Sequence, residues 1–497
     1  MLVLIQHQRK EVRRMAHKFF PDECKAIALT EIDETLYPPH GLERLCENAV
    51  QTDYSRLSER NIRIFKDRLL DMTGCIFGGA IVEEDKGFYE MLYQDGGKEE
   101  APRFAYSGRM PLMNAVMHNC ILSRANDFGS MSFELFDTRF ASHCGETLIP
   151  MGLTLADVRH TGGKEFIANN IAAEDMTARL LYTLPIPMYI DMHLVSTAAS
   201  VLASKYYNLD PKQMRYAVGF AVTNSTRPAH AYFDKSQEFM FHNGESARMG
   251  IMAAKLAQLG WKGPDDAYFA DMGFVRNQMK EENTLPDLYL KCFDELGETY
   301  FTETSIKRFP GGLPSSAAHL IGMQLHKQIQ EAYGTVDGEK IARVHVYRFT
   351  TRPESYAMEY TEPTHMNSLF CYRFAVVSGM LSGRTTAASV QTENIQKNPE
   401  LFRLASEATL ESYRDESGLP LMKAVVVMKD GSVFEAKANW ASEMDYYPTH
   451  EEIREKFWDQ FHAFGKLRDS VGEKIIELAG RIETLEDMRE YTELLSL

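Results

Sequence analysis

The first part of the chain follows a helical pattern of apolar and polar positions. Within residues 58–74, Ile62, Phe65 and Leu69 recur at three- and four-residue spacing, which predicts an amphipathic helix. Ser58 is the expected N-cap, because its hydroxyl can accept a hydrogen bond from the first helical turn. The same helical pattern is found in three further stretches: 108–125, 165–184 and 193–206.

Small side chains form one stripe on a further predicted helix that begins after Asn243. The stripe consists of Ser246, Gly250, Ala253 and Ala257. These positions share one face of a helix, so that face can approach a neighbouring helix closely. Gly260 and the Gly263-Pro264 pair end the helix. Packing alone explains the stripe, and we assign it no chemistry.

The pattern changes after about residue 300. Residues 341–349 alternate between apolar and polar side chains, as expected for a strand with one buried face. Residues 421–428 and 433–438 flank an Asp-Gly pair, which predicts a β-hairpin. A helix is predicted between these strands over 367–381, and the chain is helical again from His450. The sequence therefore predicts a mainly α protein with an inserted α+β unit.

Composition is that of an ordinary globular protein, with 44% hydrophobic and 25% charged residues. The length of 497 residues is more than one core usually supports, so two domains are expected. No apolar run reaches the roughly 18 residues of a membrane span. The opening apolar stretch, residues 1–5, is shorter than that of a signal peptide and is followed by no cleavage site. We therefore expect a cytoplasmic protein without a membrane partner.

The net charge of −16 disfavours a nucleic-acid partner, because phosphate binding requires clustered Lys and Arg. A small anionic substrate is still compatible, since a few basic side chains can dominate the field inside a cleft. The seven cysteines are scattered and form no CxxC pair, so reduced thiols are expected. Neither Asp191 with His193 nor His230 with His242 has a recognisable zinc spacing, and no HExxH occurs. The sequence thus predicts no metal site.

Five short segments carry the most specific information in the chain. They are DMTGCIFGGA (71–80), NDF (126–128), HCGETLIP (143–150), NGESARMGIMAAKLAQLGWKGP (243–264) and KRFP (307–310). In this order and spacing they resemble the MmgE/PrpD family, which includes 2-methylcitrate dehydratase, cis-aconitate decarboxylase and iminodisuccinate epimerase. The resemblance covers roughly residues 42–490. It implies chemistry at a carbon next to a carboxylate of a small polycarboxylic acid, without a metal or organic cofactor.

The resemblance also implies an organisation into two domains. We expect a large all-α domain formed by residues 41–300 and 445–497, and a smaller α+β lid formed by residues 301–444. Residues 1–40 precede the family pattern and are expected to be an N-terminal extension. Members of the family are typically homodimers, so a homodimer is expected here as well.

Proton removal beside a carboxylate requires a base near the carbon, positive charge for the spectator carboxylates, and an acid for the leaving group. The resemblance assigns these roles to Asp127, His143 and Lys307. Lys307 is expected to face a substrate carboxylate, and either Asp127 or His143 to move the proton. Tyr356 of the lid is the expected second acid, although Tyr360 fits equally well. We expect Asp127→Ala to abolish turnover with little loss of stability.

Several positions depart from the family pattern. A family lysine that precedes the small-residue helix falls near Phe239, where Lys235 and His242 are the nearby polar side chains. A family histidine falls near Tyr189, with His193 close by, and a second one falls near Ser316. These changes together indicate a substrate or an outcome different from methylcitrate dehydration.

Substrate-binding roles are predicted for six residues in total: Tyr189, His193, Lys235, His242, Arg308 and Arg139. Arg308 is included because it follows Lys307 directly. Arg139 is included because residues 131–142 look like an insertion beside the site.

The first hypothesis is a cofactor-independent lyase that dehydrates a small di- or tricarboxylic acid, such as a 2-methylcitrate-like substrate. Epimerisation or another isomerisation, and decarboxylation, stay open because they share carbanion-like chemistry beside a carboxylate. A hypothesis of another class is a dimeric binding protein on the same fold that has lost catalysis. The presence of Asp127, His143 and Lys307 together favours the enzyme.

Overall fold

The computed structural model describes residues 40–136, 138–183, 194–225, 235–270, 273–274, 290–349, 359–439, 442 and 446–497. Tyr189, His193 and Tyr356 lie outside these residues, as does nearly all of the predicted N-terminal extension. Within the described ranges no helix is long and apolar enough to cross a membrane.

The described part of the chain is mainly α, as the sequence predicts. Its helices are α1 (Gly41–Gln51), α2 (Glu59–Gly79), α3 (Lys86–Gln94), α4 (Leu112–Arg124), α5 (Gly145–Arg159), α6 (Gly163–Tyr182), α7 (Val195–Tyr206), α8 (Pro211–Ala221), α9 (Glu238–Gln258), α10 (Leu313–Tyr333), α11 (His365–Leu369), α12 (Tyr372–Ser382), α13 (Thr392–Gln396), α14 (Pro399–Glu407), α15 (His450–Phe464), α16 (Asp469–Gly480) and α17 (Arg489–Thr492).

The strands of the described residues form small sheets. Their bounds are β1 (Ala101–Pro102), β2 (Arg109–Met110), β3 (Ser132–Leu135), β4 (Thr138–Ala141), β5 (Ile341–Phe349), β6 (Thr409–Tyr413), β7 (Leu421–Met428) and β8 (Val433–Asn439). β1 pairs with β2 and β3 with β4, whereas the last four strands form one sheet in the order β6-β5-β7-β8.

Helix α2 shows how glycines bring three helices together. It begins after the predicted N-cap, where the Ser58 hydroxyl accepts a hydrogen bond from the Asn61 backbone N–H at 3.1 Å. A Cβ atom at Gly79 would lie 1.9 Å from the Leu122 carbonyl oxygen of α4, and one at Gly78 would lie 2.3 Å from Gln460 of α15. Close approach therefore requires glycine at position 79, where the clash would be with backbone, whereas at position 78 the Gln460 side chain would have to move. This packing places the end of α4 beside α2 and α15.

The small-residue stripe on α9 forms the close helix contact that the sequence predicts. A Cβ atom at Gly250 would lie 2.5 Å from the backbone carbonyl carbon of Ala199 on α7. Helix α9 also begins earlier than expected, at Glu238. Its first turn therefore includes Phe239, which lies beside Arg124 at the end of α4.

In sequence, the strands of the four-stranded sheet follow helix α10 and precede helix α15. β5 is parallel to β6 and antiparallel to β7, with Val344 opposite Val426 and Val346 opposite Ala424. These four side chains are buried. The predicted strand and hairpin are confirmed, and β8 ends one residue later than expected.

The helix predicted over 367–381 is interrupted in the structure. Cys371 adopts an extended backbone conformation as the N-cap of α12, so the segment forms two helices, α11 and α12. Helices α15 and α16 then pack against α2 at the other end of the sequence. The domain bounds given above stay predictions.

Candidate active site

Asp127 is held at the end of α4 by a tight backbone turn. Its backbone N–H donates to the Arg124 carbonyl oxygen at 2.9 Å, and its φ of 45° lies in the left-handed region. Aspartate tolerates this conformation better than most residues with a side chain. Only 2% of Asp127 is exposed, so its carboxylate is fixed inside the protein.

Lys307 approaches Asp127 from a segment 180 residues away in sequence. The segment runs beside the chain that follows Asp127, since the Met131 N–H donates to Ser305 O at 3.1 Å and the Lys307 N–H to Gly129 O at 3.2 Å. The Lys307 ammonium donates to the Asp127 carbonyl oxygen at 3.0 Å and to the Asp127 carboxylate. With Lys307 only 3% exposed, this is a buried ion pair.

His143 and Glu146 complete the group at the start of α5. The Nδ1 atom of His143 lies 3.2 Å from Glu146 Oε2 and 3.3 Å from Arg124 Nη1. The same Arg124 nitrogen donates to the carboxylates of Asp127 and Glu146. The His143 side chain is 13% exposed, whereas those of Arg124 and Glu146 are fully buried. We call these five residues, Arg124, Asp127, His143, Glu146 and Lys307, the ion-pair cluster.

The two carboxylates of the ion-pair cluster are held ionised. Burial alone would raise the pKa of Asp127, but the Arg124 guanidinium and the Lys307 ammonium bring it well below its usual value. Burial acts in the same direction on Glu146, and Arg124 and His143 again lower that pKa. The pKa of Lys307 is lowered because burial outweighs the neighbouring carboxylates. The cluster therefore holds fixed charges in the protein interior, where the dielectric constant is low and the electrostatic interaction between neighbouring charges is strong.

Helix α15 also holds the backbone of this site. The Lys456 ammonium donates to the carbonyl oxygens of Phe128, at 2.5 Å, and of Lys307, at 3.0 Å. It also lies 2.6 Å from a carboxylate oxygen of Asp71 on α2. Burial raises the pKa of Asp71 despite this partner. Helix α15 thus joins the two segments that carry Asp127 and Lys307.

Three cluster residues have the donor atoms of a metal site. Within the described ranges, Asp127, His143 and Glu146 are the set whose possible ligand atoms all lie within 4.8 Å of one another. However, Arg124 Nη1 contacts the same three side chains. A metal ion at their centre would meet a guanidinium and the nearby Lys307 ammonium. This donor set therefore fits an internal ion pair better than a metal.

The remaining predicted site residues have other contacts. The Lys235 ammonium donates to Glu359 O at 2.7 Å and to the Asn367 side chain at 2.5 Å, and burial lowers its pKa. His242 Nε2 lies 3.4 Å from the Ser246 hydroxyl. One turn earlier, the Phe239 ring faces the Arg124 guanidinium, and its centroid lies 5.2 Å from the guanidinium carbon. An aromatic ring thus borders the cluster where the family pattern has a lysine.

Arg308 and Arg139 each contact a residue outside the ion-pair cluster. The Arg308 guanidinium stacks over the Tyr446 ring at 4.1 Å, on the side of α15. Arg139 lies on the β3–β4 hairpin, 3.5 Å from Glu134. The structure therefore brings together Asp127, His143 and Lys307, and places Lys235, Arg308 and Arg139 in separate contacts.

Sequence reasoning missed two residues of the cluster. Arg124 and Glu146 were not predicted as site residues, although Glu146 lies inside the segment that suggested His143 and Arg124 lies two residues before the segment that suggested Asp127. Each is three positions from its partner, a spacing that brings side chains together on a helix. The signal available in the sequence was a basic residue three positions before the acidic Asp127 and an acidic residue three positions after the basic His143.

The sheet-containing part of the chain contacts the residue next to Asp127. The Asn126 side-chain oxygen lies 2.9 Å from His365 Nε2 and accepts a hydrogen bond from Gln391 at 3.1 Å. The Asn126 amide donates to Gly78 O of α2 at 2.7 Å. Burial lowers the pKa of His365 to about 4, so this histidine is neutral at pH 7. The region predicted to be a lid thus contacts the turn that carries Asp127.

Two surface clefts of about 560 and 500 Å³ are present in the described part of the chain. The first is lined by Asp53, Lys164 and Lys205 among others, and the second by Lys66 and His450 among others. Neither is lined by a residue of the ion-pair cluster. The side chains of the cluster are instead buried, and His143 is its most accessible member.

Comparison with known proteins identifies the family. Residues 43–285 match the MmgE/PrpD N-terminal domain. Cis-aconitate decarboxylase of Homo sapiens is similar to the chain, with 23% identity over 476 residues that cover 88% of this chain and 91% of that protein. The family match contains four members of the ion-pair cluster, and Lys307 lies beyond it. The chain belongs to the MmgE/PrpD family and is an enzyme of that type.

Proposed function

We propose that the protein is a cofactor-independent lyase that acts on a small di- or tricarboxylic acid at a carbon next to a carboxylate. The observation that carries this proposal is the buried contact between Asp127 and Lys307 beside the partly exposed His143. It combines a positive charge for a substrate carboxylate with a group that can move a proton. Membership of the MmgE/PrpD family supports the same class of reaction.

His143 is the group that we propose to meet the reacting carbon. In the tautomer that this role requires, Nδ1–H donates to Glu146 Oε2 at 3.2 Å, and Nε2 has the lone pair that can take a proton from a substrate. Its 13% exposure exceeds the 2% of Asp127. Between the two bases that the sequence leaves open, accessibility therefore favours His143. Glu146 orients the ring in this arrangement, as the carboxylate does in other histidine–carboxylate pairs.

Lys307 and Arg124 supply the positive charge. In the described structure both are paired with Asp127, and Arg124 is also paired with Glu146. A substrate carboxylate would join the Lys307 ammonium, and Asp127 would keep that ammonium in place. The charge that builds up on the substrate when the C–H bond breaks would then lie beside fixed cations in a site without bulk water.

Elimination of water is the first candidate outcome. His143 would take the proton, the C–H electron pair would form the new double bond, and hydroxide would leave as water after protonation. Tyr356, which lies outside the described residues, stays our proposed second acid. The Asn126 contacts with His365 and Gln391 support a lid that closes over the site and excludes water.

Decarboxylation is the second candidate outcome. It is favoured by the similarity to human cis-aconitate decarboxylase over 88% of the chain. In that reaction CO₂ would leave with cleavage of a C–C bond, and the carbon would take a proton from His143. The two outcomes use the same charges and differ in the group that departs.

The test is proton NMR of the purified protein in D₂O with citrate, 2-methylcitrate, cis-aconitate and amino-dicarboxylates, each alone. We expect one acid to lose a C–H signal or to be converted, and ¹³C-labelled CO₂ from a labelled acid would identify decarboxylation. His143→Gln is the control and should react at least about 100-fold more slowly. If no acid reacts with folded wild-type protein but one binds, a non-catalytic binding protein becomes the better interpretation.

A homodimer and a cytoplasmic location also stay proposals, implied by the family resemblance and by the sequence. Light scattering coupled to size-exclusion chromatography of the full chain measures the first. A monomer at micromolar concentration would contradict it.

A further inference from the structure

A second buried charge cluster is centred on Glu303, which contacts residues that flank the ion-pair cluster in sequence. This side chain is fully buried. Its carboxylate accepts hydrogen bonds from Arg68 Nη2 at 3.0 Å, from the Ser142 hydroxyl at 2.6 Å, from the Gly145 backbone N–H at 3.2 Å, and from the Ser130 hydroxyl. One carboxylate thus receives four donors from three different parts of the chain.

Two of these parts, and the segment of Glu303 itself, each carry a proposed catalytic group, whereas Arg68 lies on α2. Ser130 follows Asp127 by three residues, and Ser142 directly precedes His143. The carboxylate's own residue lies four positions before Lys307. The three groups that must meet one substrate are therefore connected through a single side chain.

The backbone and the packing around this carboxylate reinforce the connection. Glu303 forms an antiparallel bridge with Phe133 on the β3–β4 hairpin. At the start of α5, a Cβ atom at Gly145 would lie 2.4 Å from both Arg68 Nη2 and Glu303 Oε2, and 2.5 Å from the Ser130 hydroxyl. The donors therefore pack around the carboxylate without spare room, and a shift of one segment would be transmitted to the others.

We propose that Glu303 is a positioning residue whose carboxylate sets the mutual placement of Asp127, His143 and Lys307. The proposal rests on the proposed function of that site. It assigns Glu303 no contact with the substrate. Its effect is on geometry, and a displacement of about 1 Å in a catalytic group can cost roughly 100-fold in rate.

Glu174 on α6 provides a matched comparison. It is also fully buried and accepts two hydrogen bonds at 2.7 Å from the same Arg68 guanidinium. Its other partner is the Thr302 hydroxyl. Glu174 thus shares the charge, the burial and the arginine of Glu303, but these partners are not on the segments that carry Asp127 and His143.

The experiment compares Glu303→Gln with Glu174→Gln in the full chain, using the acid that the wild-type protein converts. We measure kcat, KM, the pH dependence of kcat and the thermal midpoint. We expect Glu303→Gln to lower kcat by about 10- to 100-fold with a smaller change in KM, and to alter the pH dependence. Glu174→Gln should lose a similar amount of thermal stability and keep kcat within about threefold of wild type.

Equal losses of kcat in the two variants, or full kcat in Glu303→Gln, would overturn the proposal. If Glu303→Gln does not fold, Ser142→Ala carries the test, because it removes one hydroxyl from the Glu303 carboxylate and no charge. A fall in its kcat of about threefold or more supports positioning, and an unchanged kcat overturns it.

A separate readout covers the case in which the wild-type protein converts no acid and the proposed function fails. The ¹⁵N shifts of the His143 ring report its tautomer, and the signal is assigned by its loss in His143→Gln. Positioning predicts altered His143 shifts in Glu303→Gln and unaltered shifts in Glu174→Gln. Unaltered shifts in both variants would contradict it.

Discussion

The protein contains two buried clusters of the same basic design. In each, one fully buried arginine is bound by two carboxylates: Arg124 by Asp127 and Glu146, and Arg68 by Glu174 and Glu303. The first cluster also contains the ammonium of Lys307 and a histidine that is 13% exposed. The second cluster is completed by hydroxyl and backbone donors and has no exposed side chain among these members.

The difference indicates how to separate a reacting site from its support. Buried ion pairs are poor evidence for stability, because desolvation opposes their attraction. The presence of these two clusters therefore has a reason other than stability. The accessibility of their titratable side chains indicates what that reason is. A titratable group that solvent can reach permits chemistry at the first cluster, whereas the closed second cluster can only hold segments in place.

The largest effect is expected from Asp127→Ala. Turnover should be lost, and the free energy of unfolding should fall by about 3–5 kcal/mol, because Lys307 and Arg124 lose a buried partner. The sequence suggested little loss of stability, and the burial of Asp127 gives the opposite expectation. Urea unfolding together with turnover measures both effects. Asp127→Asn is the control for shape, since asparagine also accepts the left-handed backbone; an active Asp127→Ala protein would refute the role of this residue.

His143→Gln should separate activity from stability. We expect kcat to fall by about 10²- to 10⁴-fold, the usual contribution of a general acid or base. The thermal midpoint should change little, because this side chain is partly exposed and Arg124 keeps both carboxylates. Steady-state kinetics and thermal unfolding measure the two quantities. Activity near the wild-type level would assign the proton transfer to another group, with Asp127 the next candidate.

Glu146→Gln should have a smaller effect on the same reaction. The amide keeps the size of the side chain but weakens its hold on His143 Nδ1 and on Arg124. We expect kcat to fall by roughly 10-fold with little change in KM, because orientation is impaired while the proton carrier remains. A loss as large as that of His143→Gln would mean that Glu146 has a direct part in the reaction.

The sequence predicted regular elements well where one local signal decided them. The strand over 341–349, the Asp-Gly hairpin and the Ser58 N-cap are all confirmed. Helix α2 extends beyond residue 74 because its glycines face Leu122 and Gln460, which lie far away in the sequence. That contact depends on the tertiary arrangement and has no local signal.

The residues of the candidate site likewise fall into those with a local sequence signal and those that depend on the tertiary arrangement. Asp127, His143 and Lys307 lie in short segments whose resemblance to the family could be read directly, and the structure brings them together. Glu303 lies in no such segment, and its four donors come together only after folding. Composition could not show that an aromatic ring, Phe239, borders Arg124. Roles that depend on long-range contacts require the three-dimensional structure.

The buried neutral histidine His365 gives the smallest expected effect. It also tests the contact between the sheet-containing part of the chain and the turn at Asn126. Burial lowers the pKa of His365 to about 4, and an unfolded histidine has a pKa of about 6.5. Between these values the unfolded chain binds a proton that the folded protein does not, so stability is full above about pH 6.5 and falls as the pH drops towards 4. His365 alone should contribute roughly 3 kcal/mol to this fall. Urea unfolding at several pH values should show a shallower decline for His365→Gln, and an identical decline would show that the pKa of His365 is not lowered in the folded protein.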